Sequence, residues 1–193
     1  MRKYTSVMLI ISMFFALSSV VYAVTPRFEN NIYWEKTSLT CYIDSNIMYD
    51  YGTNISSAIG DGILSWNSTD APTISLSDDY INWDVIVEMY DLGYTGWDAD
   101  CTTYPVDNNH VQITDYAIIV INSGALSSYL NNANLWKALA CHEMGHAHGL
   151  DHNTNDEDSI MKPYTIDYYN YSGTSPRWTT PRAADKAGVN IIY

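Results

Sequence analysis

Residues 142–152 decide the fold of this chain, and they read His-Glu-Met-Gly-His-Ala-His-Gly-Leu-Asp-His. Residues four apart on an α-helix differ by about 40° around its axis, so His142 and His146 share one face, one turn apart. Gly149 predicts the end of that helix, because glycine readily adopts the left-handed backbone that turns the chain. The turn points His152 back toward the first two histidines. We therefore predict one metal site, of the kind that binds Zn²⁺, with His142, His146 and His152 as ligands.

Two further residues of this stretch have different expected roles. Glu143 adjoins the first ligand, where its carboxylate can reach a metal-activated water rather than the metal, and a general base for hydrolysis must sit there. His148 falls about 240° around the helix from His142, so we interpret it as a solvent-facing or second-layer histidine and not as a ligand. The stretch therefore predicts a hydrolytic zinc site with Glu143 as its catalytic base.

The chain begins with a segment typical of secretory signal peptides. Residues 1–23 combine a basic start (Arg2, Lys3), an apolar run over residues 7–17 and small residues closing at Ala23. The run is too short to span a bilayer and no second such run follows, so we expect secretion without stable membrane insertion. The remaining residues, 24–193, suffice for one domain with a sizeable core.

The chain is strongly acidic. It carries 9 Lys and Arg residues against 22 Asp and Glu, a net charge of −13. Removal of residues 1–23 takes away two basic residues and no acidic one, which leaves −15. Such a charge argues against nucleic acid and anionic membranes as partners, because both are polyanions, and it keeps a secreted protein soluble.

Three cysteines leave at least one thiol unpaired in an oxidising compartment. Cys141 directly precedes His142 in the predicted helix, where a small buried thiol packs like alanine. We therefore favour a disulfide between Cys41, on a predicted strand, and Cys101, in a predicted loop, although the sequence alone does not decide this pairing.

Hydrophobic periodicity predicts the remaining elements. Strands are expected where apolar residues alternate or run together, at residues 34–43, 73–76, 84–90 and 111–122, the last of them buried and central. Helices are expected where apolar residues recur every three or four positions, at residues 54–66, from a cap at Asn134 to Gly149, and at residues 181–191. We expect Thr53 or Asn54 to cap the first of these helices.

Residues 91–109 are rich in Gly, Asp, Thr and Tyr, lack periodicity and are predicted as a long functional loop. Asp98, Asp100 and Asp107 could ligate Ca²⁺, but no spaced calcium-loop motif is present. A solvated acidic loop is the favoured interpretation, and calcium is a weakly supported alternative.

With Met161 in Ser159-Ile160-Met161, nine residues after His152, the motif resembles the metzincin zinc metallopeptidases. Two segments are similar to the corresponding sequences of the matrixins, the M10-type peptidases: Gly149-Leu150-Asp151-His152 and Met161-x-Pro163. This resemblance implies an α+β, zincin-like fold: a twisted, mostly parallel sheet with an antiparallel edge strand, an active-site helix and a C-terminal helix.

The resemblance also implies a secreted, zinc-dependent endopeptidase that acts on a protein or peptide substrate. Met161 would form the floor beneath the zinc, Pro163 and Tyr164 would wall the pocket for the residue after the scissile bond, and residues 96–103 would supply the edge along which the substrate lies. One zinc is expected, because only His110 precedes the zinc helix in this region. Tyr164 is not expected to be a ligand, although it could help to stabilise the oxyanion. We expect a monomer.

Two alternatives are weighed against the peptidase. The first is a non-catalytic secreted binding or adhesion module of the same fold, in which zinc only holds the loop of His152 to the helix. Glu143 argues against it, because a structural site needs no carboxylate beside the water. The second is an aromatic-rich structural or binding domain with an accidental motif, against which Met161 argues.

Overall fold

The structure is a computed structural model, and it describes residues 32–105, 112–155, 158–170, 172–173 and 177–193. The predicted signal segment, residues 1–23, lies outside these ranges, as do Asp107 and His110. No helix in the described ranges combines the length and the apolar character that crossing a bilayer requires.

The strands of the described residues form one six-stranded sheet: β1 (Ile32–Tyr33), β2 (Ser38–Ile43), β3 (Thr73–Ser77), β4 (Val85–Tyr90), β5 (Ala99–Pro105) and β6 (Gln112–Asn122). The order is β1-β6-β4-β2-β3, with every pair parallel. β5 runs antiparallel to β6, with Ala99 opposite Ile121 and Cys101 opposite Ile119. The predicted mostly parallel sheet with an antiparallel edge strand is therefore confirmed.

The α-helices of the described residues are α1 (Ser45–Tyr51), α2 (Thr53–Leu64), α3 (Ala133–Ala147), α4 (Thr165–Tyr168) and α5 (Ala183–Ile192). α2, α3 and α5 confirm the three predicted helices within a few residues, whereas α1 and α4 were not predicted. Two caps differ from the prediction. Gly52 precedes α2 without a side-chain cap, and Asn132, not Asn134, caps α3 by accepting from the Leu135 N–H at 3.4 Å.

The core lies between one face of the sheet and helices α2 and α3. Along β6, Ala117, Ile119 and Ile121 are fully buried, whereas the alternating Ile118 and Val120 are only half-buried. This period of two is expected of a strand with one covered face. Against that face pack the buried residues of the two helices, among them Ile59, Ile63, Leu135 and Leu139. The packing fixes α3 beside the sheet and turns its histidines toward the start of β5.

The expected Cys41–Cys101 disulfide is wrong. Cys41 lies on β2 and Cys101 on β5, and β4 and β6 separate these two strands. Three strand spacings of ~4.8 Å put the two Cα atoms roughly 14 Å apart or more, whereas a disulfide requires less than about 7 Å. Cys141 is buried in α3 as expected. It accepts a hydrogen bond from the Ser65 hydroxyl at 3.3 Å.

The predicted loop at residues 91–109 also needs correction, because it contains the edge strand β5. Thr102, Thr103 and Tyr104 have β-branched or aromatic side chains, which suit a strand. The alternation of apolar and polar residues is too weak there to reveal it.

Candidate active site

Helix α3 presents His142, Glu143 and His146 from its last two turns. His142 and Glu143 are each only 4% exposed. Leu135 and Leu139, on the preceding turns, are buried in the core. The helix therefore holds both histidines rigidly, with their spacing set by the helical repeat.

The turn after α3 brings the third histidine back. Gly149 adopts a φ of 89°, in the left-handed region that other residues resist. Its N–H donates to the His146 carbonyl at 2.8 Å, and the Leu150 N–H donates to the Gly145 carbonyl at 3.0 Å. These bonds close the helix end in the manner of a glycine C-cap. The predicted turn is confirmed, and it places His152 opposite the helix.

The Nε2 atoms of the three histidines form a nearly equilateral triangle. The separations are 3.2 Å for His142 to His146, 3.2 Å for His146 to His152 and 3.3 Å for His142 to His152. In a tetrahedral site with Zn–N bonds of about 2.0–2.1 Å, ligand nitrogens lie ~3.3–3.4 Å apart. Within the described ranges, this is the only group of His, Cys, Asp or Glu residues found close enough to share a metal ion.

The tautomers of two rings support the same conclusion. His142 Nδ1 lies 2.8 Å from the Ile160 carbonyl oxygen, and His146 Nδ1 lies 2.7 Å from that of Leu150. Because a carbonyl oxygen only accepts, each Nδ1 must carry its ring's proton, which leaves a lone pair on Nε2. Two such lone pairs face each other at 3.2 Å with no proton between them. A cation at the centre of the triangle removes that repulsion, so the donor set fits zinc.

Burial keeps these rings neutral, as metal ligands must be. It lowers the pKa of His142 well below 6.5, and the neighbouring His146 lowers it further. Burial also lowers the pKa of His146, although the carbonyl of Leu150 and the charges of Asp151 and Asp100 oppose the shift. At neutral pH both rings therefore offer lone pairs.

Met161 lies against the helix between the two ligand turns. It is 1% exposed, and its sulfur and methyl group occupy the space into which a Cβ at Gly145 would project. The Met161 carbonyl accepts from the Asn153 N–H at 2.6 Å, which ties the loop of the third histidine to the same turn. Met161 is thus a buried packing residue of the α3 ligand turns, and only glycine at position 145 leaves room for it.

A carboxylate on the C-terminal helix fixes this turn. Asp185 of α5 accepts from the Ser159 hydroxyl at 2.5 Å and from the Ile160 N–H at 2.9 Å. It also accepts from the Arg182 N–H at 2.7 Å, which closes the first turn of α5. Since the Ile160 carbonyl orients His142, Asp185 supports a metal-facing ring through the backbone of one residue, Ile160. The sequence analysis did not identify it.

A cleft of about 520 Å³ opens over the three histidines. Glu143 lines it beside them, and so do Pro163 and Tyr164, which the resemblance placed there. The opposite side is formed by residues 96–101, which include the start of β5. The cleft therefore has the predicted carboxylate, the three nitrogens and an exposed strand edge in one space.

Asn122, which the sequence analysis missed, organises the loop that leads to this edge. It is fully buried at the end of β6. Its Nδ2 lies within hydrogen-bond distance of three oxygens: Gly93 O (3.0 Å), Thr95 Oγ1 (2.8 Å) and Trp97 O (3.3 Å). Its Oδ1 accepts from the N–H groups of Leu92, Gly124 and Ala125. One amide thus does for this loop what a bound cation does in other loops. No sequence pattern indicates this role.

Two other residues considered in the sequence analysis, His148 and Tyr164, differ in their exposure to solvent. His148 is not solvent-facing: it is fully buried against Trp66 and Tyr193, and burial lowers its pKa to about 3. Neither of its ring nitrogens has a hydrogen-bond partner among the described residues. Tyr164 is 68% exposed at the cleft rim.

The candidate calcium ligands remain untested. The Asp98 carboxylate accepts from the Thr165 hydroxyl at 2.7 Å, and the Asp100 carboxylate accepts from that of Thr102 at 3.1 Å. Within the described residues, the aspartates form no three-residue group with ligand atoms close together.

The family follows from a comparison with known proteins. A model of the matrixin family, Peptidase_M10, matches residues 93–193, which include both sides of the cleft, the histidine motif and α5. No curated protein matches the chain significantly. The family match and the triad indicate a zinc metallopeptidase, with a peptide or protein as substrate. Since the match covers more than half of the 193 residues, this chain belongs to the matrixin family.

Proposed function

We propose that this protein is a secreted, zinc-dependent endopeptidase in which His142, His146 and His152 hold one zinc ion and Glu143 is the general base. The observation that carries the proposal is the placement of Glu143. It is 4% exposed, it lines the cleft beside three converging ring nitrogens, and it follows the first of them on a rigid helix. A site that only binds metal has no use for a carboxylate in this position.

Zinc, when bound, polarises the scissile carbonyl and makes a water molecule more acidic. Glu143 takes a proton from the attacking water as the new C–O bond forms. It then passes this proton to the amine nitrogen as the peptide C–N bond breaks. Hydrolysis thus yields a carboxylic acid and an amine, and Glu143 returns to its starting state.

The substrate is positioned by the edge of β5. Among the described residues, β5 pairs only with β6, so its other edge is available to an extended peptide. The start of β5, Ala99 to Cys101, lines the cleft. A peptide added to this edge would run past the three histidines with its backbone hydrogen-bonded.

The test compares wild-type protein with Glu143→Gln, which keeps the size and hydrogen-bonding capacity of the side chain but cannot accept the proton. Zinc content is measured by mass spectrometry, and cleavage is followed on casein and on a quenched peptide library. We expect one zinc per chain in both proteins and a loss of activity of at least ~10²-fold in the variant, the minimum typical of a general base.

Equal activity in the two proteins would contradict the role of Glu143. A wild type that binds zinc but cleaves nothing would favour the non-catalytic binding module.

Secretion is a separate part of the proposal and rests on the basic and apolar segment at residues 1–23. We expect that the full chain, expressed in a host with a secretory pathway, appears in the medium with Val24 as its first residue. Mass spectrometry of the secreted protein tests this, and an intracellular chain that retains residues 1–23 would contradict it.

A further inference from the structure

Tyr168 fills a recess of the cleft beside the histidines. Together with Leu139 and His142 on α3, the segment from Pro163 to Tyr168 borders this part of the cleft. The side chain of Tyr168 belongs to α4 yet is only 2% exposed, so it points inward to α3 rather than to solvent. This burial is unusual, because the side chains of a one-turn helix at the surface are expected to be largely exposed.

The ring of Tyr168 lies flat on the ring of His142. The two centroids are 4.7 Å apart and the planes differ by 12°. This is offset stacking in van der Waals contact, and no third side chain can enter between two rings at that separation. A substrate side chain that enters the cleft along this face of His142 therefore meets Tyr168 instead of an open pocket.

Hydrogen bonds hold the backbone of Tyr168, its hydroxyl and the neighbouring Thr165 in place. The Trp178 N–H donates to the Tyr168 carbonyl at 2.9 Å. The Tyr168 hydroxyl donates to Thr165 Oγ1 at 3.4 Å, and the Thr165 hydroxyl donates to the Asp98 carboxylate at 2.7 Å. This last bond crosses from α4 to the loop on the other side of the cleft. Moving the ring out would break the bond of its hydroxyl to Thr165 and expose a buried aromatic surface.

We propose that Tyr168 is a specificity-determining residue: by filling the recess beside His142, it restricts one substrate position next to the scissile bond to small side chains such as glycine, alanine and serine. This inference rests on the proposed peptidase function and deepens it. Removal of the Tyr168 ring would open a recess bordered by Leu139 and the ring face of His142.

The experiment uses the full chain loaded with zinc, as wild type, Tyr168→Ala and Tyr168→Phe. A peptide library varied at each position around the cleavage site gives kcat/KM for small and large side chains. At one position next to the scissile bond, we expect wild type and Tyr168→Phe to prefer small residues. Tyr168→Ala should raise kcat/KM for leucine or phenylalanine relative to alanine by about tenfold or more at that position.

A second measurement separates binding from cleavage. In a Glu143→Gln background, the same three side chains at position 168 are compared for binding of uncleaved peptides by calorimetry. Tyr168→Leu, which leaves a smaller cavity, replaces Tyr168→Ala if the alanine variant fails to fold. Zinc content and the thermal unfolding midpoint show which variants are folded.

Each outcome is decisive. A folded Tyr168→Ala or Tyr168→Leu protein with the wild-type preference, in cleavage and in binding, would overturn this inference alone, as would a wild type that prefers large residues on both sides of the bond. A wild type that neither cleaves nor binds any peptide would overturn the proposed function and this inference with it.

Discussion

The cleft has two walls that are built in different ways. The histidine wall consists of α3 and residues 159–164, and the edge wall consists of residues 91–101. In the histidine wall, ring nitrogens of His142 and His146 are fixed by backbone carbonyls, and their other nitrogens converge at 3.2 Å. In the edge wall, the Asn122 amide gathers three loop oxygens and β5 pairs with β6. The first wall requires a cation to be complete, whereas in the second the neutral Asn122 amide already binds the loop oxygens.

The largest effect is expected from removing one nitrogen of the histidine wall. His152→Ala should reduce zinc content well below one ion per chain. It should lower peptidase activity by at least about 10³-fold, because the metal supplies several kcal/mol of transition-state stabilisation. Metal analysis and peptide cleavage test this. His148→Leu, a change to a histidine of the same motif that lies outside the triangle, is the matched control and should keep its zinc; equal zinc loss in both variants would contradict the assignment.

A smaller effect is expected behind the histidine wall, at Asp185. Asp185→Asn weakens the hold on the backbone of Ile160, whose carbonyl orients His142, so zinc affinity should fall by roughly 10-fold to 100-fold. Competition with a chromophoric chelator measures this affinity. Asp158→Asn is the control, because Asp158 is a nearby carboxylate on the protein surface, where it pairs with the Arg182 side chain at 2.8 Å. Similar zinc affinity in wild type and Asp185→Asn would show that the turn is held without this carboxylate.

The edge wall is tested at Asn122. In the wild type, three loop oxygens surround the amide donor of Asn122. Asn122→Asp replaces this donor by a carboxylate oxygen, so that four oxygens then face one another without a donor between them. We expect KM to rise by roughly tenfold, the equivalent of one buried hydrogen bond, with little change in kcat. Millimolar Ca²⁺ should restore KM by bridging the oxygens, and it should leave the wild type unaffected.

Steady-state kinetics with Ca²⁺ or a calcium chelator measure both parts of this prediction. Asn131→Asp, the same substitution at an exposed position, is the control. A wild type that loses activity in the chelator would show that this wall depends on calcium after all.

The smallest effect concerns His148, which lies within the motif but outside the triangle of ring nitrogens. Both of its buried ring nitrogens lack partners among the described residues. Removing such a polar group should make His148→Leu more stable by about 1–2 kcal/mol at neutral pH. Urea unfolding of the two proteins measures the difference, and a destabilised variant would indicate that the ring has a polar partner.

The pH dependence of this difference has a definite sign. The folded-state pKa of His148 is about 3, below the usual 6.5, because burial penalises the charged ring. Its neutral form is fully favoured above pH 6.5, and wild-type stability is lost as pH falls from there toward 3. The advantage of His148→Leu should therefore grow as the pH is lowered below 6.5.

The two walls also differ in how far the sequence predicts them. The histidine wall follows from local rules: the four-residue spacing of His142 and His146, and a glycine that permits the turn to His152. The central strand β6 follows from its apolar run. These features depend on residues close together in the chain, so a single sequence reveals them.

The edge wall depends on contacts between distant residues, which no local pattern records. Asn122 is one asparagine among many until the fold places it against residues 93–97. The same holds on the other side of the cleft, where Tyr168 is one of 17 tyrosines until it stacks on His142. The disulfide prediction fails for the same reason, since the order of strands that separates Cys41 from Cys101 is a property of the sheet. The roles of Glu143 as general base and of the three histidines as zinc ligands, both predicted from the sequence, are proposals.

The central claim is that three neutral imidazoles hold one zinc ion beside Glu143. It is tested most directly by a crystal structure of the zinc-loaded protein with anomalous diffraction recorded on both sides of the zinc absorption edge. We predict one anomalous peak within about 2.0–2.1 Å of the Nε2 atoms of His142, His146 and His152, with the Glu143 carboxylate outside bonding distance of the metal. A peak elsewhere, or zinc bound directly by Glu143, would contradict the account.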